Sequence, residues 1–154
     1  MTEFDIQKRL FDVFKSLDDF AQDNGYTGEP FLVKVEEGGE DKYLNVHFPN
    51  CPFDYPESKR WFDLTFRNNE PVDASLGEDS QSRFTGILYI DIIVPQDVGE
   101  LEAETKYRWI AKLFNGISID VVDIMKVYIS TQGNEADHYR LQVAIVWEAD
   151  INKE

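Results

Sequence analysis

A nucleophilic triad needs a Ser or Cys, a His and an acid brought together. The chain offers two histidines, His47 and His138, and one cysteine, Cys51. No Gly-x-Ser-x-Gly elbow is present to present a serine. Cys51 lies between Pro49 and Pro52 with no local residue marking it as activated, so it reads as a small loop hydrophobe. Walker, G-x-G-x-x-G and H-E-x-x-H signatures are absent as well. Carboxylates are abundant. Glu36, Glu37, Glu40 and Asp41 could surround a hard cation, but their order is not that of a calcium loop, and a solvated turn is expected. Asp18, Asp19 and Asp23 read as the charged outer face of a helix. Asp91 stands inside an otherwise apolar strand, where a hydrogen bond or a sheet margin is the simplest account and a buried catalytic acid the sharper one. These residue types assemble no reaction: no catalytic residue, metal or cofactor is expected.

Binding chemistry is better supported. Seven of the chain's 21 aromatic residues fall within residues 43–66, against about three for an even spread. Phe53, Tyr55 and Trp61 lie in or beside a loop bounded by Pro49, Pro52 and Pro56, with Arg60 and Arg67 alongside. Rigid aromatics next to arginine are what interface cores enrich. Residues 67–83, ending at Arg83, form a polar stretch of the length that is usually functional or disordered. Phe53, Tyr55, Arg60, Trp61, Arg67 and Arg83 are therefore the candidate interface residues, set against the plainer reading that the loop folds back over the domain.

The elements that must position them follow from periodicity. Ile6, Leu10, Val13, Phe14, Leu17, Phe20 and Ala21 recur at helical spacing and predict a helix over about 3–23, capped by Thr2 and stopped at Asn24-Gly25. Alternation over Tyr43–Phe48 and Trp61–Phe66 predicts a long-looped hairpin. Phe84–Val94, apolar on both faces, is expected at the centre of the sheet. A second helix over about 99–115, capped by Asp97 with Glu100 as in a capping box, carries Ala103, Tyr107, Ile110, Ala111 and Phe114 on its core stripe. Strands over about 124–130 and 139–150 form a last hairpin joined by TQGNEADH. The order is α+β: a mixed, mainly antiparallel sheet of about four to five strands, two covering helices and a projecting hairpin, in one domain.

The chain of 154 residues is long enough to bury a core, and one cysteine excludes a disulfide framework. No apolar run reaches membrane-spanning length, and the first residues show no secretion signal. Fifteen Lys and Arg against 30 Asp and Glu give a net charge of −15, which opposes general binding to nucleic-acid phosphates.

Tyr43-Leu44-Asn45-Val46-His47-Phe48 followed by Pro49-Asn50, then Leu76-Gly77, then Arg83-Phe84-Thr85-Gly86-Ile87-Leu88, resembles the tail terminator (tail completion) proteins of long-tailed bacteriophages. Val94-Pro95, the acidic Gly99-Glu100-Leu101-Glu102-Ala103, Leu113-Phe114-Asn115-Gly116 and the final Leu141–Trp147 strand continue the likeness. Residues 51–75 look longer than the corresponding family loop. The resemblance implies a structural virion protein, assembled in the bacterial cytoplasm. It would form a homohexameric ring that caps the tail tube protein, stops its polymerisation and faces a head–tail connector protein. No membrane and no sequence-specific nucleic acid is implied as a partner. Another head–tail connector component is an alternative within the virion class, and a second reading of the same charge is an acidic DNA mimic that occupies a host DNA-binding protein. Its 18 acids and 8 bases in residues 1–80, against 12 and 7 in the remainder, form no phosphate-like block.

Overall fold

The structure, a computed structural model, describes residues 3–68, 72–73, 81–119 and 121–152. Its first elements are helices α1 (Glu3–Lys15) and α2 (Leu17–Asp23). The expected single helix is interrupted at Ser16, whose hydroxyl donates to the Val13 carbonyl at 2.6 Å. A serine hydroxyl that competes for backbone acceptors in this way breaks the helical ladder. The apolar stripe continues across the break: Ile6, Leu10, Phe14, Leu17 and Ala21 are fully buried. Gly25, at φ +96°, takes the left-handed stop. Thr2, the expected cap, lies outside the described residues.

Asp18 is no surface charge. Its two carboxylate oxygens accept the backbone N–H groups of Phe31 (2.6 Å) and Leu32 (3.1 Å), pinning the returning chain to α2. Asn45, which is buried, repeats the device, accepting from Val33 N and donating to Phe31 O. Between them, residues 36–42 are exposed, as a solvated turn should be, and are drawn into a tight hairpin. Strands β1 (Lys34–Glu37) and β2 (Glu40–Tyr43) pair antiparallel around Gly38-Gly39, both at positive φ as the turn requires.

The main sheet holds β3 (Val46–His47), β4 (Trp61–Asn68), β5 (Val72–Asp73), β6 (Gln81–Pro95), β7 (Ser118–Ile119), β8 (Val122–Glu135) and β9 (His138–Asn152). Their order is β3-β4-β6-β9-β8-β7, with β5 paired to β6 beside that path. The α+β class holds, with more strands than the four to five expected. Residues 43–66 depart from the expected hairpin. β3 is two residues long and runs parallel to β4, because the proline-bounded chain between them crosses over instead of turning back. In consequence Leu44 is exposed while Val46 is buried, although the alternation put them on one face. Arg67 and Asn68 end β4 and residues 81–83 begin β6, so the expected 67–83 loop is shorter; its residues 69–71 and 74–80 lie outside the described set.

Helix α3 (Gly99–Phe114) packs with α1 and α2 on one face of the sheet. Its N-cap position is Val98, with no side-chain cap bond, so Asp97 does not play the role its type and spacing suggested. Phe62, Leu88, Ile90, Ile92, Val94, Leu141, Val143, Ile145 and Trp147 face these helices and are buried. No helix among the described residues covers the opposite face. β8 and β9 run on through most of the stretch expected to be loop, turning only at Ala136-Asp137.

Candidate functional site

On the helix-free face the register sets one polar row across three strands. Trp61 in β4 faces Ile93 in β6, which faces Arg140 in β9. Two residues along, Asp63 faces Asp91, which faces Gln142. Alternation alone dictates that these side chains share a face. Register decides that they meet.

Arg140 is the hub. Its Nη1 donates to Asp91 Oδ2 and lies 3.6 Å from Asp63 Oδ2, while its Nε donates to Glu135 Oε2 at 3.2 Å. Asp63 Oδ1 in turn accepts from Trp61 Nε1 at 3.2 Å and lies 3.0 Å from His47 Nδ1. His138 sits 3.1 Å from both Glu135 and Asp137, and Lys59 reaches Asp137 at 3.0 Å. Burial pushes the Asp91 carboxyl above its usual range, with hydrogen bonding from Gln142 and the Arg140 guanidinium holding it back. Burial also opposes the Arg140 charge, but Asp91 and Glu135 outweigh it and raise the guanidinium further. Each carboxylate here answers a cation or a ring N–H. The network is a clamp across strands.

Above the clamp the proline-bounded loop lays down a ridge of rings. Phe53 stacks on His47 with centroids 4.9 Å apart and planes 8° from parallel. Tyr55 meets Phe53 and Trp61 edge-on, each at 5.2 Å, and Trp61 tilts against His138 at 5.8 Å. Phe53 and Trp61 are half-buried by these contacts, and Tyr55 stays 62% exposed. The loop therefore folds back and still leaves one aromatic face to solvent.

The sequence-derived candidates divide accordingly. Phe53, Tyr55 and Trp61 come together. Arg60 turns to the helix side, where its Nε donates to Glu102 at 2.8 Å and anchors the loop to α3. Arg83 sits at the other end of the sheet, paired with Asp150 (3.0 Å) and Glu148 (3.2 Å). Arg67 is exposed opposite Ile87, six residues along β4 from Trp61 and about 20 Å away. Asp63, Arg140 and the two histidines were not expected to join the aromatics. Their one sequence signal is the alternation of polar residues on the non-core side of β4 and β9. Cys51 is free and exposed, and no group of His, Cys, Asp and Glu able to hold a metal occurs among the described residues.

Comparison with known proteins adds the decisive observation. The family model for phage tail terminator proteins matches residues 33–147, about three quarters of the chain. The chain belongs to the phage tail terminator family. The matched stretch of this terminator runs from just before β1 into β9 and so takes in the aromatic ridge, the clamp and α3. One solved structure superposes on the terminator with a TM-score of 0.62 at 14% identity, over 96% of this chain and 98% of its own, a likeness of fold. No curated protein sequence matches. Family membership makes the terminator a structural component of a phage virion that meets other tail and head–tail proteins. No helix among the described residues is long and apolar enough to cross a membrane.

Proposed function

We propose that the protein closes into a homohexameric ring that caps the end of the tail tube, stops tube polymerisation and presents the surface on which the head–tail connector joins. The observation that carries this reading is the family match, which spans the main sheet and the surfaces it exposes. Rings form from heterologous contacts, in which one patch of each subunit meets a different patch of the next. The sheet supplies two such patches at opposite margins. The aromatic ridge starts at the β3 side, with Tyr55 exposed. On the β8 side a register shift between Ile124 and Lys126 sets Met125 out of the ladder, 59% exposed. Thioether and aromatic groups pack well against one another. Phe53 and Trp61 hold Tyr55 in place, and Arg67, exposed toward the far end of β4, is a separate candidate cation for a neighbouring subunit or the tube.

Charge bears on assembly as well. Six copies would carry about −90, a self-repulsion that opposes closure at low ionic strength and keeps DNA phosphates from adhering to the bore. Negative-stain microscopy of the purified protein, with and without tail tubes, is the test. Capped tube ends of arrested length are expected, along with rings that grow more abundant as salt is raised. Uncapped tubes that keep elongating in its presence refute the reading, and oligomers that increase toward zero salt refute its electrostatic part.

A further inference from the structure

On the side of the ridge away from the clamp, with Phe53 and Tyr55 on its rim, the β1–β2 hairpin, the start of α3 and the loop after Pro49 enclose an open groove of about 1690 Å³. That is larger than the usual pocket for a small molecule, roughly 300–1,000 Å³. Its walls carry apolar side chains that the fold leaves uncovered. Val33 and Leu44, joined by the Leu44 N–H to Val33 O bond, are 49% and 42% exposed at the base of the hairpin. Across from them Val98, at the N-cap, and Leu101, in the first turn of α3, are 40% and 70% exposed.

The charges around these walls are unbalanced. Four cations line the groove, and each is engaged. Arg60 and Lys106 share Glu102 at 2.8 and 3.4 Å, Lys42 pairs with Glu37 at 3.6 Å, and Lys15 lies over the Tyr43 and Phe48 rings. Glu29, Glu40, Asp54 and Glu57 line the same groove and make no ion pair with any described residue. An apolar floor ringed by unanswered carboxylates selects against a copy of this chain, whose net charge is −15.

We propose that this groove docks a segment of a different protein, one in which Leu, Ile, Val or Phe side chains are flanked by Lys or Arg. The apolar side chains cover Val33, Leu44, Val98 and Leu101, and the cations answer the rim carboxylates. The groove shares Phe53 and Tyr55 with the proposed ring contact, so ring formation and tube capping are read separately, in micrographs of Leu101→Glu, which leaves that contact in place.

The test is selection of a random dodecapeptide display library on the purified full chain, followed by binding of one enriched synthetic peptide. Enrichment of basic, aliphatic sequences is expected. Affinity should fall at least tenfold for Leu101→Glu, Val33→Glu and the pair Asp54→Lys with Glu57→Lys, and stay unchanged for Gln22→Glu, an equal charge change at an exposed position of α2 outside the groove. All these side chains are exposed, and thermal melts identify any variant that fails to fold. Absence of enrichment, enrichment of acidic or uncharged sequences, or binding indifferent to Leu101→Glu overturns the proposal. Self-association of the wild type that Leu101→Glu abolishes also overturns it, by making a second copy the occupant.

Discussion

Replacing Arg140 with Met removes the guanidinium while keeping most of the aliphatic stem. Asp91 is then left with 13% of its side chain exposed, and Asp63 with 23%, neither facing a cation across the clamp. Exposed pairs contribute about 0–1 kcal/mol, and breaking a fully buried one costs roughly 3–5 kcal/mol. Arg140 is 25% exposed and serves three carboxylates, so we expect a loss of about 2–3 kcal/mol near pH 8. The loss depends on pH, and its sign follows from Asp91. Burial already raises this carboxyl above its unfolded value, so the folded state holds a proton more readily than the unfolded chain does. The associated stability is greatest below the unfolded carboxylate range, near ~4, and is lost as pH rises through the folded pKa. Removing Arg140 takes away two of the influences that lower the folded pKa, so the window extends upward. Urea unfolding followed by tryptophan fluorescence should show the variant's deficit shrinking steadily from pH 8 to pH 5. Adding Asp91→Asn to Arg140→Met should recover at least half of the deficit at pH 8. A deficit that is the same at both pH values, or a double variant no more stable than the single one, would refute the clamp as the source of the cost.

Gly86→Ala should destabilise the sheet by about 2–3 kcal/mol in thermal or denaturant melts, because the new Cβ would fall inside 3.0 Å of both the Arg67 carbonyl oxygen and the Trp147 ring. It should also disturb the Phe66–Trp147 stack, now 5.4 Å between centroids, and so the near-UV circular dichroism. Asp18→Ala should cost roughly 1–3 kcal/mol by leaving the Phe31 and Leu32 N–H groups without their acceptor, read by the same melts. Tyr55→Ala should change stability by less than about 1 kcal/mol, since the ring is 62% exposed, and yet reduce rings and capped tube ends in micrographs.

Some of this architecture was written into local pattern. The 3.6-residue stripe of the first helical region, the alternation of Leu141, Val143, Ile145 and Trp147, and the apolar run of β6 each name a buried face, because burial selects side chains at the period of the backbone. The family motifs and the aromatic excess in residues 43–66 were likewise legible without coordinates. Tertiary structure alone decided that β3 runs parallel to β4, that Asp18 and Asn45 cap a chain about a dozen residues away, and that His47, Asp63, Asp91 and Arg140 form one clamp beneath Phe53, Tyr55 and Trp61. Those contacts join residues far apart in the chain, Asp63 to Arg140 among them. They depend on strand register and crossover direction, which no single segment's periodicity contains.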